Sequence, residues 1–204
     1  MPGNSMVPGM SPALEVAKHL LRLSAAGEEP DWLCHMRLQK LLYYAQGWSL
    51  AVRGRALFPE VVEAWQYGPV VGGLYPVFRR YGHASIPPED IDDAHLDAAD
   101  AEFVTVIWNA YKQFSATKLC EMTHGEAPWL EARGGLASHE SGNAPISHEA
   151  MIAFFRTCET PTSFAEVEAG TQLAGTRLDK AGLAEAWANS PPPQSWYEED
   201  TRCW

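Results

Sequence analysis

The chain has 204 residues, a formal charge of −11, 46% hydrophobic residues and eight tryptophans. That is enough apolar chain to bury a core in one domain with extensions, and too hydrophobic for a disordered polypeptide. The negative charge repels a phosphate backbone and no Lys/Arg cluster offsets it, which argues against direct nucleic-acid binding.

Residues 1–11, MPGNSMVPGMS, are small, polar and proline-punctuated, and read as a flexible N-terminal arm without the basic start and apolar run of a signal peptide. From Ser11, a candidate cap with Pro12 at the first helical position, Leu14, Ala17, Leu20 and Leu21 recur at helical spacing up to Gly27. The segment 36–53 predicts a second helix. Leu38, Leu41, Leu42, Ala45, Trp48 and Val52 share one face, while Tyr43, Tyr44 and Leu50 carry apolar surface to the others. Gln39, Gln46 and Arg53, seven apart, leave one narrow polar strip expected at the surface, and Gly54 stands where a left-handed cap costs least. Residues 57–67 change period: Val61, Val62, Ala64, Trp65 and Tyr67 predict a short strand or extended ribbon before a Gly68-Pro69 kink. Its partner is either Arg55–Phe58 or an edge from another protein.

A short helix follows over 73–81, with Pro76 confined to its first turn. Residues 83–96 read as a loop, and 89–102 hold seven acidic residues without a Lys or Arg, as a solvated surface does. Phe103, Ile107, Ala110 and Phe114 predict a helix over 98–114, and Ser115 a cap for another that stops at Gly125. Pro128 can open the next turn, with Trp129 anchoring it. Ser147 caps a helix running to about residue 157, with Ile146 and Met151 spaced as a hydrophobic staple. Residues 158–187 read as a C-terminal helical extension and 188–204, with prolines at 191–193, as a flexible tail. The fold expectation is therefore mainly α: a compact helical domain over 12–157 with a short β ribbon or hairpin between the second and third helices.

Chemistry is sparse. Cys34, Cys120, Cys158 and Cys203 lie far apart with no CxxC pair, which fits reduced thiols in a cytoplasmic protein better than a zinc site. No run of about 18 apolar residues is available to span a membrane. There is no GxSxG, P-loop, GxGxxG or HExxH motif, and two ligands at His124 and Glu126 cannot fill a zinc sphere. No catalytic residue, cofactor or metal is assigned. His124 and Glu126 are read as local capping or partner contact, and Trp65, Tyr67, Gly68, Pro69 and Val70 as either a hydrophobic plug or aromatic hot spots for a partner.

Three blocks in this order resemble a known family: Leu38-Gln39-Lys40-Leu41-Leu42-Tyr43 with Gly47-Trp48, then Ala64-Trp65-Gln66-Tyr67-Gly68-Pro69-Val70, then Thr123-His124-Gly125-Glu126-Ala127-Pro128-Trp129. The family is the Panacea domain of SocA-like antitoxins, which includes phage-associated GepA-like proteins. The resemblance implies a binding protein and no enzyme, one that neutralises a cognate protein toxin of a bacterial or prophage toxin-antitoxin system. At least one member is an adaptor that hands its toxin to a AAA+ protease. For such a binding protein the residues themselves suggest partner contacts on the ribbon Trp65, Tyr67, Gly68, Pro69 and Val70, on Tyr75, on the polar positions Gln39, Lys40 and Gln46, and at His124 and Glu126. An unpaired strand edge with many tryptophans also suits a homodimer.

Overall fold

The computed structural model describes residues 12–158, apart from Gly27, Glu29 and Ser138; the expected N-terminal arm, the C-terminal extension and the tail lie outside the described residues. Helix α1, Ala13–Ala25, buries Ala17, Leu20 and Leu21 as their spacing predicts, together with Val16, while Leu14 is only half-buried. Pro12 stands at its cap position, one place before the site expected for it. The helix ends at Ala26 in extended backbone, before Gly27 is reached.

Helix α2, His35–Trp48, is buried on every side, charged and amide residues included. It is the axis of the fold and packs against α1 and against the later helices α4 (Ala98–Tyr111), α5 (Ala116–His124) and α7 (His148–Phe155). At Gly47 a Cβ would lie 2.1 Å from the Phe155 ring, so the missing side chain lets α7 press onto α2. The chain leaves α2 through a π-helical turn, Ser49–Arg53, and Gly54 closes it at φ 66°, in the left-handed conformation expected there.

The expected ribbon is a hairpin, but a different one. Strand β1 is only Val62–Trp65, and it pairs antiparallel with β2, Gly68–Val71, in the register Trp65↔Gly68 to Val62↔Val71. The pair Gly68-Pro69 is thus the start of the second strand and not a kink ending the first. Gly68 can hold φ 95° next to a two-residue connection, which a residue with a Cβ would do only under strain. Proline is tolerated at 69 because that position pairs without exchanging hydrogen bonds with β1, so its missing N–H removes none from the ladder. A third short strand, β3 (Ala144–Pro145), lies on the other side of β1, giving the order β2-β1-β3.

After β2, a 3₁₀ turn at Gly72–Leu74, a single α-turn α3 (Tyr75–Phe78) and another 3₁₀ turn at Arg79–Tyr81 replace the one helix expected over 73–81. Ser115 caps α5 and Ser147 caps α7 through their hydroxyls, as the sequence suggests; Asp97 does the same for α4. Between α5 and α7, α6 spans Ala127–Arg133 with Pro128 in its first turn. The acidic run is not uniformly solvated. Asp100, in the first turn of α4, is fully buried and accepts from both Arg53 and Arg55, which neutralise it there. No helix among the described residues is long and apolar enough to cross a membrane.

Candidate functional site

The three sequence blocks meet in space around the hairpin. Helix α2 reaches it first: Gln39 Oε1 accepts from the Val71 amide at 2.8 Å, and Lys40 Nζ donates to the Pro69 carbonyl at 3.1 Å. Alternation explains the geometry. Residues 68 and 70 turn their backbone groups toward β1, so those of 69 and 71 point away from it, and two α2 side chains satisfy them. On the far side of the sheet Ile146 N donates to Val62 O, while Pro145 has no N–H to offer outward. The outer edge of β2 is therefore closed by a helix, and that of β3 is two residues long and proline-blunted.

The third block holds the turn. Cys120 Sγ donates to the Tyr67 carbonyl at 3.3 Å, and Trp129 Nε1 donates to the Trp65 carbonyl at 2.9 Å. His124 stacks on Trp129 with ring centroids 4.3 Å apart, and its Nε2 lies 3.8 Å from the Cys120 sulfur. Burial pushes its pKa down to about 4, helped by the charges of Lys40 and Arg133 and opposed by a hydrogen bond with the Gln66 backbone. Glu126, at the corner between α5 and α6, turns the other way, into α2. It accepts from Tyr43 at 2.7 Å and from Tyr44 at 2.8 Å. Burial pushes the carboxyl up to about 7, and the two phenol hydrogen bonds hold it back from going further. The phenols of Tyr43 and Tyr44 are driven well above their ordinary value by burial and by that carboxylate.

His124 and Glu126 thus take separate partners, one on the hairpin and one on α2. Of the predicted strip only Arg53 is part-exposed; the polar positions Gln39, Lys40 and Gln46, expected at the surface, are 1%, 0% and 0% exposed. Their polar ends meet backbone groups that would otherwise be orphaned in the interior. Gln46 takes the amides of Leu57 and Phe58 and donates to the Phe58 carbonyl, fixing the approach to β1. Glu126, Gly68, Pro69 and Val70 are buried as well, whereas Trp65, Tyr67, Tyr75 and His124 are half-buried. The ring of Trp65 lies 4.8 Å from that of Tyr75, and His35 stands 5.2 Å beyond.

Sequence reasoning passed over Cys120 and Glu63. Cys120 carries no local signal, since its acceptor is 53 residues away. Glu63 was legible: two places before Trp65 in a strand, it shares that residue's face, and Trp65 Nε1 donates to its Oε2 at 2.7 Å.

A family model described as the SocA-like antitoxin, Panacea domain, matches residues 38–130, a span that contains all three blocks. Antitoxin SocA of Caulobacter vibrioides (strain NA1000 / CB15N) is 30% identical over 141 residues, covering 63% of this chain and 74% of that protein. No solved structure matches. Blocks, order and extent of similarity agree, and the chain belongs to the SocA-like antitoxin family through its Panacea domain.

Proposed function

We propose that this protein is an antitoxin that neutralises a cognate protein toxin by direct contact, with the hairpin end as its docking surface. The family supports the role. The observation that carries the choice of surface is the clamp: side chains from α2, α5 and α6 fix the backbone of residues 65–71, leaving Trp65, Tyr67 and Tyr75 half-buried on a held support. Aromatic rings whose position is already fixed lose little entropy on docking, which is what makes them strong anchors. With both sheet edges blunted, a partner meets side chains and not a row of strand donors. Neutralisation is then steric, with no bond made or broken by the antitoxin.

The test is to co-express the full chain with the product of the adjacent reading frame and to capture the pair through a tag on this chain. Wild type is expected to restore growth and to retain its partner stoichiometrically. Trp65→Ala and Tyr67→Ala are expected to weaken capture by about 30-fold or more while the circular-dichroism melt stays cooperative. Variants that capture normally remove the hairpin from the interface, and variants that unfold assign the rings to the core. Rescued growth with the partner's protein lost from the cell would replace contact by delivery to a AAA+ protease.

A further inference from the structure

In β1 the burial alternates: Val62 and Ala64 point into the protein, and Glu63 and Trp65 face the other way. Glu63 is half-buried there, its Oε2 held by the Trp65 indole N–H at 2.7 Å. Its other oxygen lies against the backbone of Gly72, where an added Cβ would sit 2.6 Å away, so only a glycine leaves the carboxylate this seat. The Tyr75 ring, 4.8 Å from Trp65 and inclined at 46°, completes the face. No Lys, Arg or His side chain pairs with Glu63 among the described residues, whereas the buried Asp100 has two arginines. A half-buried carboxylate beside an indole ring and without a cation among the described residues is an incomplete arrangement, since no described side chain supplies the opposite charge that would offset lost hydration.

We propose that Glu63, Trp65 and Tyr75 form a receptor for an arginine side chain of the partner protein, an inference that rests on the hairpin being the toxin-facing surface. Arginine fits better than lysine on three counts. Its planar fork can bond a carboxylate through two N–H groups, it stacks on aromatic faces, and it gives up its hydration more readily than an ammonium. The charge of −11 favours a basic partner in the same direction.

The receptor can be tested without the partner. N-acetyl-L-arginine amide is titrated into the ¹⁵N-labelled full chain, and the Trp65 indole N–H resonance, assigned by its loss in Trp65→Phe, is followed. A saturable shift is expected, lost in Glu63→Gln and weakened in Gly72→Ala, with the Trp48 indole resonance, whose N–H is held by Tyr111 away from the hairpin, unmoved as the check that both variants are folded. The lysine analogue is expected to bind several-fold more weakly. Absence of a saturable shift, an equal shift in Glu63→Gln, or an equal response to the lysine analogue overturns the proposal. With the adjacent-frame product, capture by Glu63→Gln equal to that by wild type also sinks the arginine receptor alone. A wild-type chain that binds the arginine probe but captures no partner leaves the receptor standing and removes the toxin-contact reading.

Discussion

Glu126 sits where a carboxylate is costly, enclosed by helices and met by two phenols whose hydrogen bonds offset only part of the lost hydration. With its pKa raised to about 7 from an ordinary value near 4.5, the folded protein holds this proton over a range in which the unfolded chain releases it. Its contribution to stability is therefore fully present below about pH 4.5, declines as the pH rises and is lost above about pH 7, by an amount on the order of 3 kcal/mol. His35 and His124 act oppositely. Burial lowers both to about 4, so their contribution is present above about pH 6.5 and is lost as the pH falls toward 4. Glu126→Gln removes the first trend and keeps the second. Tm measured from pH 4.5 to 7 is expected to move steadily in the variant's favour relative to wild type; a constant difference would mean that the carboxyl titrates normally.

At the scale of elements, α2 governs the rest, because β2, α4, α5 and α7 all pack on it. It approaches α7 closely at Gly47. Alanine there would gain about 1 kcal/mol of helix propensity, but its methyl would enter the Phe155 ring, and overpacking between two buried helices costs about 1–3 kcal/mol. The clash wins, and Gly47→Ala is expected to lower Tm by several degrees with α-helical content retained; an unchanged or higher Tm would show that α7 can shift freely. Helices of this kind are the legible part of the sequence. Spacing located α1, α2, α4 and α5, and the serines at 115 and 147 marked their helix starts through a purely local hydrogen bond. What could not be read was the destination of side chains whose partners are distant in the chain. Gln39, Lys40 and Gln46 look like polar positions for solvent or a partner because their main-chain partners are remote in sequence: Val71, Pro69 and Phe58 meet them from 32, 29 and 12 residues away. The β1–β2 pairing was missed for a related reason. Gly68-Pro69 reads as a stop, and only the register shows that Pro69 needs no N–H there.

The whole molecule is acidic, and Asp100 in the first turn of α4 is matched by Arg53 and Arg55, whereas acidic residues such as Glu89, Asp90, Asp92 and Asp93 are exposed at the surface. Against a basic partner this sets the encounter rate more than the lifetime of the complex. Raising the salt from about 0.05 to about 0.5 M is expected to slow association with the captured partner about tenfold and to leave dissociation nearly unchanged, as read by surface plasmon resonance. A salt-insensitive association rate would show that charge plays no part in the encounter. The way the hairpin is held has a bearing on what can change in this protein over time. Lys40, Gln39, Cys120 and Trp129 grip Pro69 O, Val71 N, Tyr67 O and Trp65 O, which are main-chain atoms that every residue type, or nearly every one, possesses. The grip is therefore indifferent to which side chains the tip displays. The side chains displayed at the tip can change while the hairpin stays where it is held, so that the shape of the support is inherited separately from what it carries.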